Sequence, residues 1–215
     1  DNPYETPDFY AFAKHDVPIG QVVRSVPNEM IADEVQGGLY LIPGSQESIN
    51  LPSLGSAEAL MEKIATMSDV VDFVVIDTAP SQTLFHIAVY AATDYIMYPT
   101  QLSEWSLTGL AQAWRRRVGA NGMRQGYGMD PIQVLGIQPM MTRMRQVSHQ
   151  EHLKMLQDTY GDAVLPVIPK RVAWEEAPMF NETLFKYAPD SPATAEAWRI
   201  VNLVERATMG TALDE

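Results

Sequence analysis

The run Val70-Val71-Asp72-Phe73-Val74-Val75-Ile76 constrains the fold of this chain more than any other stretch. It is short and, Asp72 aside, apolar at every position, which predicts a strand buried on both faces inside a parallel sheet. The run ends abruptly in Asp77-Thr78-Ala79-Pro80, a carboxylate followed by a residue that cannot extend a ladder. Short β-rich runs and amphipathic stretches of helical length alternate along the rest of the chain. After a start rich in proline and acidic residues, Leu39–Ile42 predicts a strand closed by Pro43-Gly44. Ser56 caps a helix to about Met67, with Ala57, Leu60, Ile64 and Met67 on one side. Further helices are expected near Thr83–Ala92, Leu107–Val118, Ser148–Tyr160 and Ala193–Thr208, and strands near Tyr95–Tyr98, Gln133–Ile137 and Val164–Ile168. Gly119–Gly128 is expected to be a loop. This alternation predicts a single α/β domain over residues 1–215, a doubly wound, mostly parallel sheet flanked by helices. Ligands of such sheets sit at the carboxyl ends of the strands.

Composition removes several function classes. None of the 215 residues is cysteine, which excludes disulfides, thiolate metal sites, iron–sulfur clusters and cysteine nucleophiles. No apolar run approaches the roughly 20 residues needed to span a bilayer, and no signal-peptide pattern opens the chain, so a soluble protein is expected; the absence of cysteine suits a reducing cytoplasm. The net charge of −12 sets the whole-molecule field against nucleic acid. Any DNA contact therefore needs a local basic face.

A carboxylate at the end of a buried strand is costly when desolvated and unpaired, so Asp77 calls for a cation, water or a hydrogen-bonded turn. A Walker B aspartate has this placement and holds Mg²⁺ beside nucleotide phosphates. An Asp that caps the following turn or helix has it too, and the local pattern leaves both open.

The neighbouring segments carry a family resemblance. Asp72-Phe73-Val74-Val75-Ile76-Asp77-Thr78-Ala79-Pro80-Ser81 resembles the YDyilIDtPPs stretch of the ParA, Soj and MinD partitioning ATPases. Ala91–Gln101 is similar to their aaDsvliPvq, Leu107-Thr108-Gly109-Leu110 to aLeGL, and Leu135-Gly136-Ile137 to ilGv. Val167–Val172 with Glu176–Phe180 is similar to vIPrnvrlsEAps, Leu184–Ser191 to pvfeydPkS, and Ala195-Glu196-Ala197-Trp198 to aeAy. These blocks keep the family's order from about Leu39 to the end. The resemblance implies a P-loop NTPase fold and an ATP-bound homodimer that sandwiches two nucleotides and binds DNA non-specifically. It also implies release by a ParB-like protein that stimulates hydrolysis, and a cytoplasmic, nucleoid-associated location. Asp77 would be the Mg²⁺-side aspartate, Thr78 and Pro80 part of the switch that senses the γ-phosphate, and Pro169 and Lys170 neighbours of the adenine of ATP.

The chain departs from the family in places. The family opens with a strand, a KGGxGKT loop, a helix and a second strand ending in DxDPQ. No GxxxxGKS/T occurs here and no lysine precedes Lys14, while Asp1-Asn2-Pro3 resembles the tail of DxDPQ. The phosphate cradle is therefore expected upstream of Asp1. The family's catalytic acid falls at Asp1 or Asn2, with the register open; Asn2 would put hydrolysis in doubt. Arg171 stands where the family has asparagine, and Ala173 where a second basic residue is frequent. Arg171, Arg143 and Arg145 form a candidate basic stripe for DNA phosphates, whereas Arg115-Arg116-Arg117 reads as solvated cations ending a helix.

Two functional expectations follow. One is an ATPase that partitions plasmids or chromosomes; the other is a non-catalytic scaffold or positioning protein of the same build, acting through a protein partner. His149 and His152 have the spacing of a metal pair but no third ligand nearby, so two solvated helix residues are expected. Trp105, Trp114 and Trp198 are expected to pack in cores or interfaces, and most of the 12 methionines to fill them.

Overall fold

The computed structural model describes residues 7–15, 17–44, 57–78 and 84–209. In chain order its elements are α1 (Phe9–His15), α2 (Ile19–Val22), β1 (Arg24–Ser25), α3 (Asn28–Ile31), β2 (Tyr40–Leu41), α4 (Ala57–Ala65) and α5 (Leu84–Ala92). Then come β3 (Tyr95–Gln101), α6 (Glu104–Gly126), β4 (Gln133–Met140), α7 (Val147–Tyr160), α8 (Val172–Glu176), α9 (Leu184–Tyr187) and α10 (Pro192–Met209). The fold is α/β, with a parallel sheet and flanking helices. It divides into two compact units.

The first unit takes the chain up to Val26, Gly38–Asp94 and Arg115–Ile132. Its core is the contact between α4 and α5, where Leu60, Ala88 and Val89 are buried against Phe9, Ile64, Ile76 and Ala92. Leu60 and Ile64 recur at helical spacing, so the amphipathic pattern of α4 carries into packing, with Met67 buried in the turn beyond it. Lys63 extends from α4 to the last turn of α1, donating to the carbonyls of Phe12 at 2.6 Å and Ala13 at 3.0 Å. Those carbonyls have no intrahelical donor, and a cation suits that end of the helix. β1 and β2 pair antiparallel over two residues only.

Val70–Ile76 differs from expectation. Residues 66–70 are a turn, residues 71–78 belong to no ladder among the described residues, and Val75 is 92% exposed. Phe73 and Val74 are exposed as well, and Ile76 alone of this run reaches the α4–α5 core. A strand is buried by neighbours on its two edges and two faces. Here, of the run's apolar side chains, only Val71 and Ile76 are even half-buried, and the expected two-sided burial does not occur.

The second correction is α6, which continues through the expected loop at Gly119–Gly128 as far as Gly126. Three glycines weaken a helix by roughly 1 kcal/mol each relative to alanine. Ala120 and Arg124, one turn apart, are both buried, and Asn121 Oδ1 accepts the amide N–H of Ile132 at 2.8 Å. Tertiary contacts override the local preference.

The second unit holds Pro27–Gly37, Tyr95–Trp114 and Gln133 onward. β3 and β4 run parallel from Tyr95↔Gln133 to Gln101↔Met140. The register shifts between Ile96, opposite Val134, and Met97, opposite Gly136, so that Leu135 is the extra residue of a bulge. Gly136 adopts φ +150°, and a Cβ there would lie 2.6 Å from the Leu165 side chain, so the bulge demands glycine. Residues 164–169 continue the parallel stack through bridges Ile137↔Val164 and Thr142↔Pro169. Leu165 N–H donates to Ile137 and Ile168 N–H to Pro139, while Pro166 and Pro169 have no N–H to give. Gln138, buried inside β4, uses its side-chain amide to donate to the Pro166 carbonyl at 2.7 Å.

Tyr98, Leu102, Leu110, Ile137 and Leu156 form this unit's core, closed by Leu107, Trp114, Leu153 and Tyr160 of α6 and α7. The Trp114 ring lies 5.6 Å from Tyr98 and 5.0 Å from Tyr160, as packing requires. Trp198 is half exposed with its edge against Phe185, and Trp105, at 88% exposure, packs in no core. Met144, Met155, Met179 and Met209 are likewise exposed rather than core filler. A smaller cluster of Leu184, Ala193 and Ala197 joins α9 to α10. The α3 segment docks on α9: Thr183 donates through its N–H to Met30 and through its hydroxyl to Ile31, and Lys186 pairs with Asp33. That contact raises the pKa of Lys186 above its ordinary value.

Candidate functional site

Of the residues singled out by sequence, Asp1 and Pro80 lie outside the described residues. Asp77 and Thr78 end the extended run of the first unit, and both are exposed. Mg²⁺ keeps most of its waters and takes one or two accessible carboxylates beside phosphate oxygens, and Asp77 is such a carboxylate by exposure. Among the described residues no group of three His, Asp or Glu side chains is placed to hold a metal. His149 Nδ1 accepts the backbone N–H of Arg143 at 3.1 Å, and His152 Nδ1 lies 3.0 Å from the Leu102 carbonyl. Each imidazole has its Nδ1 against backbone, and the pair belongs to no cluster of three possible metal ligands among the described residues.

The second unit gathers the other candidates at the carboxyl end of its parallel stack, where α/β sheets place their ligands. Thr142 N–H donates to Ile168 and Lys170 N–H to Thr142, each at 3.0 Å, so residues 168–170 are held against the end of β4. Met141 turns the chain there with φ +54°. The loop that follows, carrying exposed Arg143 and Arg145, is tied to α7 through His149 and through Gln150, whose amide donates to Met144 at 2.7 Å.

Lys170 and Arg171 carry acidic partners. Lys170 Nζ lies 2.6 Å from Glu175. Arg171 grips Glu196 with two prongs, Nε to Oε2 at 2.9 Å and Nη2 to Oε1 at 2.5 Å. The Glu196 side chain is only 10% exposed and that of Arg171 34%. The hydrogen bond to Glu196 raises the Arg171 pKa against the opposing effect of partial burial. The planar fork of a guanidinium matches a carboxylate in this way and an ammonium does not.

The sequence did not point to Arg124. The residue is 2% exposed, and its guanidinium donates to the carbonyls of Asp130 at 2.7 Å, Ala91 at 2.6 Å and Thr93 at 2.8 Å, and to Asp94 Oδ1 at 3.0 Å. It fastens α6 to the end of α5 within the first unit. The one hint in the sequence is its helical spacing from Ala120, masked by the glycines around it.

A family profile described as an AAA domain matches residues 14–118. The chromosome-partitioning ATPase Soj of Thermus thermophilus is 30% identical over 184 residues, covering 83% of this chain and 70% of Soj. The chain belongs to the ParA/MinD-like family of partitioning ATPases. Solved structures share the fold at low identity. An ATP complex of a single-residue variant of McdA from Cyanothece superposes with TM-score 0.68 at 17% identity, over 93% of this chain and 76% of that one. The Mg-ADP complex of the septum site-determining protein MinD from Pyrococcus horikoshii gives 0.62 at 16% identity, over 94% and 73%.

Proposed function

We propose that the protein is a nucleotide-dependent partitioning switch, in which Mg²⁺ and ATP favour a homodimer that binds DNA non-specifically and a ParB-like protein stimulates its release. The single observation that carries this reading is the 30% identity to a chromosome-partitioning ATPase over 83% of the chain. In it, Asp77 holds Mg²⁺, Thr78 and Pro80 respond to the γ-phosphate, and Pro169 and Lys170 meet the base. Asp1 is the candidate acid for the attacking water. These 215 residues contain no GxxxxGKS/T sequence to cradle the phosphates. Arg143 and Arg145, exposed on the loop after β4, are the candidate phosphate contacts for DNA. The protein would act in the cytoplasm, associated with the nucleoid.

The decisive experiment measures DNA retention by the protein expressed from its intact gene, with and without Mg-ATP, at two salt concentrations. The expected result is retention that needs nucleotide, weakens with salt and is lost in Asp77→Ala. Retention indifferent to nucleotide would sink the switch. The pairing of both Lys170 and Arg171 with carboxylates favours a second reading, a positioning scaffold that binds a protein partner in place of DNA. That reading predicts no retention in either condition.

A further inference from the structure

The loop at 168–172 is held from more sides than its length requires. Its backbone is hydrogen-bonded to the end of β4 through Thr142, and Lys170 is paired with Glu175 at 2.6 Å. Farther along, Arg171 reaches α10 and the nearly buried Glu196. Glu196 belongs to the helical turn that packs Ala193 and Ala197 against Leu184, so the carboxylate is presented by a rigid surface. An exposed ion pair would add little order, because its side chains lose entropy by staying together. A two-pronged pair with one partner almost withdrawn from water fixes a direction as well as a distance.

We propose that Glu196 is a positioning residue: through Arg171 it sets the conformation in which the 168–172 loop meets the base of the nucleotide. The inference rests on the base-side role given above to Pro169 and Lys170. Glu196 itself touches no nucleotide in this scheme. Loss of its charge releases Arg171, loosens the loop and weakens recognition of the base, while the phosphate and metal contacts stay as they were. Affinity then falls more than turnover does.

The test uses Glu196→Gln, which keeps the shape and removes the charge, and Arg171→Gln, which cuts the pair from the other side. Two quantities are measured on the protein from its intact gene. The first is hydrogen exchange of the 168–172 amides without nucleotide. The second is the affinity for Mg-ATP and for Mg-GTP. Both variants should exchange these amides faster, lose about five- to tenfold in ATP affinity and narrow the preference for ATP over GTP. The double variant should do little more than either single one, since both break the same contact. A lowered melting temperature with unchanged exchange, ATP affinity and ATP/GTP ratio would reduce the pair to a structural tie and overturn the proposal. Failure of the unsubstituted protein to bind Mg-ATP would remove the nucleotide switch and this inference together. Normal binding by the unsubstituted protein and by both variants would remove this inference alone.

Discussion

Val70–Ile76 and Gln133–Met140 are both largely apolar, yet they meet opposite fates. The second is β4, hydrogen-bonded to β3 on one side and bridged to residues 164–169 on the other, with Ile137 wholly buried. The first has no ladder partner among the described residues, and Val75 is 92% exposed. The difference lies in what flanks them and not in their own composition. A strand's stability belongs to the sheet, and an apolar run without neighbours is only extended chain. The two units are accordingly held by different means. One depends on helix packing and a buried guanidinium, the other on a parallel ladder with helices laid across it.

That contrast can be tested by removing what holds each unit and comparing the damage in urea unfolding. Arg124→Met should be the most destabilising change, about 3 to 5 kcal/mol, because it takes the donor from three backbone carbonyls, that of Ala91 fully buried, while Asp94 is exposed and turns to water. A cost below that of an ordinary surface substitution would show that the first unit is held some other way. Ile137→Ala should lose about 3 kcal/mol from the β4 core. Val75→Ala, in the matching position of the unpaired run, should stay within about 0.5 kcal/mol. Equal costs at Ile137 and Val75 would erase the distinction. Gly136→Ala follows at about 2 kcal/mol, since its φ and the Leu165 side chain both resist a Cβ.

The smallest effect is a pH dependence at the edge of the second unit. The Tyr187 hydroxyl donates to Glu176 at 2.8 Å, and that hydrogen bond raises its pKa above the ordinary tyrosine range. A raised folded pKa stabilises the protein below the unfolded value of about 10, and the benefit fades as pH climbs through the folded value. Thermal melts of Tyr187→Phe and the unsubstituted protein should therefore differ slightly at neutral pH and converge in strong alkali. A gap that widens with pH would reverse the assigned sign.

How legible all this was depended on how local each cause is. The pattern Leu60, Ile64 gave α4 its buried face, and alternating runs placed β3, β4, α7 and α10 within a few residues. Gly119, Gly122 and Gly126 misdirected the reading of α6, because what sustains that helix is a set of acceptors far along the chain. The partnership of Arg171 with Glu196 spans 25 residues and leaves no trace in spacing or composition. Asp77 could be placed at the end of its run, but the local pattern alone leaves a metal ligand and a turn cap equally open.

The prolines at 166 and 169 have a consequence for how copies of this protein behave when crowded. The amides of Leu165, Ile168 and Lys170 are spent on β4 and Thr142, so the donors removed by proline are ones that would have pointed the other way. A foreign strand arriving at that margin finds gaps where it would need partners. The margin can serve as a boundary of the sheet without recruiting another chain to extend it.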